Sequence, residues 1–347
     1  MNHLKFALVG VLTLSVAVAV QALATTPKYT LVLSTPLGLP NGFDYVHYDV
    51  ANHRVYASHE SQITVVNGDN GKVVGRIFNI QGAHGVVTIP SLNRGYADNG
   101  RSGEVTVFDL KTLKILGRIP TDKDSDGMAY DDTTGKIAVV NGDSRNVSLI
   151  DAKSGKRLIN IPLDGGPEGL IADGHGKLYI NIEDKRQIVR IDLATDQITA
   201  RWPIPSCEAP HGMAVDSVSH RLFSSCRNSR LLVVDADNGQ MIKTLPLGRG
   251  SDTVVFDPAR KLVFSSNRDG TLSVIAEKSA ADFEFLGNVP TAPGAKTMAE
   301  DPNTGRVFVT TADVLSKEPP HDQGKVPEFG FKPGTVKMLM FDPVAAP

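Results

Sequence analysis

An all-β chain, folded as a seven-bladed β-propeller with four-stranded blades, is predicted by three observations. The first is a repeat. The segments DYVHYD, HGVVTIP, DGMAYDD, EGLIADG, HGMAVDS, DTVVFDP and KTMAEDP align along the chain. They begin at Asp44, His84, Asp126, Glu168, His211, Asp252 and Lys296, with spacings of 40, 42, 42, 43, 41 and 44 residues. Self-similarity at about 40–45 residues is the period of a propeller blade. The second is the grammar inside each repeat: short runs rich in Val, Ile and Leu between Gly, Asp and Asn turns, which read as strands. The third is that the two ends complement each other. Tyr29–Gly38 resembles the fourth strand of a repeat, and Val336–Asp342 resembles a third strand with no fourth after it. The N-terminal strand is therefore expected to close the last blade, which leaves no free sheet edge at the joint.

The fourth repeat shows the order of elements. Gly169–Ala172 is strand one, and a turn at Asp173–Gly176 leads to strand two, Lys177–Asn181. The loop Glu183–Arg186 leads to strand three, Ile188–Asp192, and Ala194–Asp196 turns into strand four, Ile198–Trp202. These apolar runs pack blade against blade and carry no chemistry of their own.

The first 24 residues stand outside this pattern. Lys5, the apolar stretch Phe6–Val20 and the small-x-small sequence Ala22-Leu-Ala24 make up a secretory signal peptide, residues 1–24. The rival reading is an uncleaved anchor helix, for which the stretch is short against a membrane span of about 20 residues. Residues 25–347 are then a single propeller domain, exported to the periplasm or secreted. No later stretch is long enough to span a bilayer. The balance of 36 basic against 38 acidic residues excludes a broad basic surface for nucleic acid. A monomer is expected.

The repeats resemble the YVTN (YncE-like) β-propeller family. The likeness is carried by strand-two stretches such as Arg54–Ala57, Leu178–Asn181 and Arg306–Thr310, and by Val147–Asp151 with the turn Ser154-Gly-Lys156. It implies a seven-bladed fold and an exported bacterial protein. It implies little about activity, because the family shares repeat grammar rather than a catalytic motif.

One insertion breaks the repeat. In the last blade the link from strand two to strand three runs over about residues 313–335 and contains Pro319, Pro320, His321, Asp322, Pro327, Phe329, Phe331 and Pro333. Links between strands two and three share a face with the links that enter strand one. The insertion is therefore expected above the seven leading residues, as a binding loop or as a cover for the closing blade.

Those seven positions place two imidazoles, four carboxylates and one ammonium at one mouth of the central channel. Four carboxylates opposed by Lys296 alone are expected to repel, to raise some pKa values and to favour a cation. His84, His211 and Glu168 are the candidate metal ligands, for Zn, Mn, Fe, Cu or Ca. Three blades separate the two histidines, which would then face each other. His84, His211 and Lys296 are the candidate catalytic groups. The alternative is that polar residues simply line a wet channel.

A second group comes from the ends of strand two and the loops that follow: His59, Glu60, Asp98, Asn99, Asn141, Asn181, Glu183, Arg227, Asn267 and Arg268. Arg227 and Arg268 suit bidentate contacts to a carboxylate or phosphate. His53, His175 and His220 fall in turns on the opposite face, and His3 lies in the signal peptide. No G-x-S-x-G elbow is present.

Cys207 and Cys226, the only cysteines, are 19 residues apart at one end of the fifth repeat. Export favours a disulfide between them, worth about 3 kcal/mol in the chain-entropy model. The alternative is a copper or zinc site shared with His211.

Two functions follow. One is a binding propeller that docks a small anionic or metal-bridged ligand, or a protein partner, at the channel mouth. The other is a metal-dependent lyase or a lactonase-like hydrolase using the same ring.

Overall fold

The computed structural model describes residues 28–319 and 326–344; the expected signal peptide, residues 1–24, and residues 320–325, including His321 and Asp322, lie outside them. Seven antiparallel sheets form the blades. Blade three illustrates the regular case, with strands Ser125–Asp131, Lys136–Asn141, Asn146–Asp151 and Lys156–Pro162 paired in sequence order. In blade one the middle strands run on as one element, Arg54–Asn67. The Gly68 amide donates to the His53 carbonyl at 2.8 Å, so this element folds back on itself and supplies strands two and three.

Blade seven is closed as the ends predict. The strand Tyr29–Gly38 pairs antiparallel with Val336–Pro343, running from Tyr29 opposite Pro343 to Gly38 opposite Val336. The sheet order places this N-terminal strand outermost and Met298–Asp301 innermost.

The core is a set of seams. Each of the seven buried apolar clusters joins two adjacent blades. Side chains of a strand point alternately to opposite faces. In the strand Lys177–Ile182, Leu178, Ile180 and Ile182 enter the seam with blade three, and Tyr179 enters the seam with blade five. Both faces of the inner strands are covered, so these strands read as unbroken apolar runs instead of alternating ones.

The insertion is more ordered than a long link. Val314–Glu318 and Glu328–Phe331 pair as a two-stranded hairpin. It rests on the links that enter blades six and seven. A Cβ on Gly250 would lie 2.7 Å from Val326, and a Cβ on Gly294 would lie 2.7 Å from the Phe331 ring. Both glycines also have positive φ, +69° and +78°, a region that L side chains avoid.

Candidate functional site

The seven leading residues stand at the start of the innermost strands, and hydrogen bonds and ion pairs join them into two arcs. In the first, Lys296 Nζ and His84 Nδ1 each lie 3.2 Å from Asp44 Oδ2, and His84 Nδ1 lies 3.0 Å from Asp126 Oδ1. In the second, His211 Nδ1 lies 3.2 Å from Glu168 Oε2, and His211 Nε2 lies 3.6 Å from Asp252 Oδ1. Arg268 grips Asp252 Oδ2 through Nε at 3.2 Å and Nη2 at 3.1 Å. The two histidines therefore belong to different arcs, each between acidic neighbours.

This arrangement corrects the expected charge balance. Burial disfavours a charge on His84, but hydrogen bonds to Asp126 and Asp44 outweigh burial and push its pKa up to about 11. His211 is pulled down by burial and, more strongly, up by Asp252 and Glu168. His84 therefore carries charge at neutral pH, and His211 shifts in the same direction. At least two cations, Lys296 and His84, answer the carboxylates, where sequence reasoning counted Lys296 alone. Burial would raise Asp44 and Asp252, yet their cationic neighbours hold both below the usual carboxylate range. Glu168 is the exception, since burial lifts it to about 7 against the pull of His211.

The second group of residues divides by its place in the strand. The penultimate position of strand two holds the backbone of the ring. Ser58 Oγ donates to the His84 carbonyl, and Ser266 Oγ donates to the Lys296 carbonyl. Asn181 Nδ2 donates to the His211 carbonyl at 2.9 Å. The Asp98 carboxylate accepts the amides of His84, Gly85 and Gly127, each at 2.9 Å. Ser225 Oγ accepts the Gly212 amide at 3.1 Å. In blade seven, Thr310 bonds Thr297 at 2.7 Å, and Thr297 donates to the Asp44 carbonyl at 2.6 Å. Blade three has Val140 here and makes no such bond. Burial lifts the Asp98 pKa to about 7, against the charge of His84 and the bonded amides.

The next position along serves strand three instead. His59 bonds Thr64, Asn99 bonds Thr106, Asn141 bonds Ser148 and Asn267 bonds Ser273, at 2.9–3.1 Å. These four side chains are fully buried and tie strands together.

Sequence reasoning missed two features. The serines and threonines of the backbone belt align across repeats, and that alignment was a usable signal. Tyr45, immediately after Asp44, stands where the repeats of blades two to five have glycine. Burial pushes its phenol well above the ordinary range, and Asp126, Asp252, Asp44 and Glu168 all push the same way. Tyr45 therefore lies where the fields of both arcs meet.

Two hollows open on the ring. One, of about 870 Å³, covers blades one to three and includes Asp44, His84, Glu60 and Arg101. The other, of about 500 Å³, is lined by Arg227, Arg268, Lys296 and Asp252, with Phe43, Phe329 and Phe331 opposite them. The Phe43 and Phe331 rings meet at 5.3 Å, and Lys296 Nζ sits 5.8 Å from the Phe43 centroid. The insertion thus forms one wall of this second hollow.

The ligand atoms of Glu168, Glu183 and His211 lie within 4.8 Å of one another, the one such cluster among the described residues. Glu183 joins two of the expected ligands, while His84 is held by Asp44 and Asp126. One imidazole and two carboxylates suit Zn²⁺ or Mn²⁺. Arg227 shares the cluster, with Nε 3.7 Å from Glu183 and Nη2 3.5 Å from His211 Nδ1. A metal here must displace both the proton of His211 and the guanidinium.

Cys207 and Cys226 form a disulfide with Cα atoms 5.2 Å apart, which excludes the alternative of a shared copper or zinc site. It anchors the link that carries His211.

No family model matches the chain, and no curated protein matches it. Among solved structures, the chain is similar to Kuenenia stuttgartiensis hydrazine synthase, at 15% identity, with 78% of this chain and 92% of that chain covered and a TM-score of 0.70. At that identity the likeness shows the shared propeller fold.

Proposed function

We propose that this chain is an exported binding propeller that holds a small anionic ligand with an apolar body. The ligand sits in the hollow between Arg227, Arg268, Lys296 and the insertion. The observation that carries this reading is the pairing of three cationic side chains with three phenylalanines around one space of about 500 Å³. Arginine presents a planar fork of donors, so Arg268 can hold Asp252 and still meet a carboxylate or phosphate. Export is supported by the disulfide, which oxidising compartments favour, and no helix among the described residues is long and apolar enough to cross a membrane. The repeat grammar supports placing the chain with YVTN propellers.

Calorimetric titration with benzoate and phenyl phosphate tests the proposal. Saturable binding that weakens at least tenfold in Arg268→Ala is expected. Equal affinity in the variant, or no binding of either probe, overturns it.

The acidic triad favours a second reading, a metal-dependent lyase or lactonase-like hydrolase. A bound divalent ion there supplies Lewis-acid polarisation of a carbonyl. Glu168, Glu183 and His211 hold it, and Arg227 orients the substrate anion. Zn²⁺ or Mn²⁺ retained after dialysis by the wild type, and lost in Glu183→Gln, distinguishes this reading. Metal content that is the same in both proteins counts against it.

A further inference from the structure

Directly below the ring the channel changes character. A cavity of about 380 Å³ begins one residue after the ring position in six blades, at Tyr45, Gly85, Gly127, Gly169, Gly212 and Thr253. It continues along the inner strands, where Val86, Met128, Leu170, Met213 and Val254 form its wall. No Asp, Glu, Lys or Arg lines it. The polar residues along it are uncharged ones, Tyr45, Thr88, Tyr130, Thr253 and His47, whose Nε2 lies 2.9 Å from Thr88 Oγ1.

We propose that this well is a second binding site, for an uncharged molecule with an aromatic-sized apolar body and one hydrogen-bonding group. The volume falls within the range of small-molecule cavities, roughly 300–1,000 Å³. The walls reward apolar surface at about 25 cal/mol per Å² removed from water. The His47–Thr88 pair provides a fixed polar contact of the kind that orients a ligand in such a site. Charge is selected against. An ion entering the well loses its water and finds no counter-ion on the wall. The same environment acts on His47: burial holds its pKa down to about 4, outweighing the attraction of Asp49. Tyr45 joins the two compartments. It walls the well, and its phenol lies within the field of the ring carboxylates above.

The test uses a matched pair of probes, 2-naphthol and 2-naphthoate, with the mature full chain in equilibrium dialysis. One 2-naphthol per chain is expected, and affinity should fall at least tenfold in Leu170→Trp, which fills the well. Met213→Trp fills it from another blade and serves if the first variant melts early. Three results overturn the proposal: no saturable 2-naphthol binding, binding indifferent to both filling variants, or 2-naphthoate binding that is equally tight and equally lost on filling. Binding of 2-naphthoate that responds to Arg268→Ala but not to filling reports on the mouth alone. The two readings can therefore fail separately.

Discussion

Asp98 holds Gly127 across the seam between blades two and three: the Gly127 amide donates to Asp98 Oδ2 at 2.9 Å. The same carboxylate takes the amides of His84 and Gly85, so one fully buried side chain fixes two consecutive ring positions. An asparagine there must turn its NH₂ toward a backbone amide and leave a buried donor unmet. Loss of stability on the order of 3 kcal/mol is expected for Asp98→Asn, read from urea unfolding. A change below about 0.5 kcal/mol would show that the belt is ornamental.

The charge on His84 gives stability a direction with pH. Its folded pKa, about 11, lies above the ordinary histidine value of 6.5. Its contribution is fully present below about pH 6.5 and is lost as pH rises toward 11. Glu168, lifted to about 7 from 4.5, acts in the same sense over its own window. Asp44 and Asp252, held low, contribute above pH 3.8 and lose that contribution on acidification. The melting temperature should therefore decline from pH 6.5 to 10, and His84→Gln should flatten the decline. An identical slope in the variant would remove His84 from this role.

Reducing the Cys207–Cys226 bridge, or replacing both residues with alanine, should cost about 3 kcal/mol. Thiol titration of the native protein should find no free thiol, and finding two would refute the bridge.

Gly294→Val should unseat the insertion. The new side chain meets the Phe331 ring and forces a β-branched residue to positive φ. Tryptic cleavage at Lys317 should accelerate while blades remain folded by circular dichroism. Unchanged cleavage would mean that the hairpin is held from elsewhere, for instance by the Gly334 amide on Asn41 Oδ1 at 2.9 Å.

Much of the architecture was legible because a propeller writes its symmetry into the chain. Leu178, Tyr179, Ile180 and Ile182 announce a strand covered on both faces, and the aligned Asp44, His84 and Asp126 announce a shared location. What the residues do to one another was less legible. The charge of His84 depends on carboxylates 40 and 42 positions away, and residue types alone gave no distances for weighing burial against attraction. The roles of Ser58 and Ser266 are not written locally, because their partners lie 26 and 30 residues further on. The hairpin in the insertion was hidden by its prolines, which mark a loop in isolation but here flank Glu328–Phe331. His59 is enclosed by Thr64 and Pro40, a burial that its place at a strand end did not announce.

The pairing of Tyr29–Gly38 with Val336–Pro343 also orders events in time. The first strand to leave a ribosome or an export channel has no partner until the last has followed. Six blades can form as their own residues arrive, but the circle stays open by one strand until Val336–Pro343 has followed. Its final clasp is the contact of greatest sequence separation, the kind that loop-closure entropy makes slow. Until then the unpaired strand must be kept from other edges. The chain thus carries its own closing signal: the circle shuts only once Val336–Pro343 has reached Tyr29–Gly38.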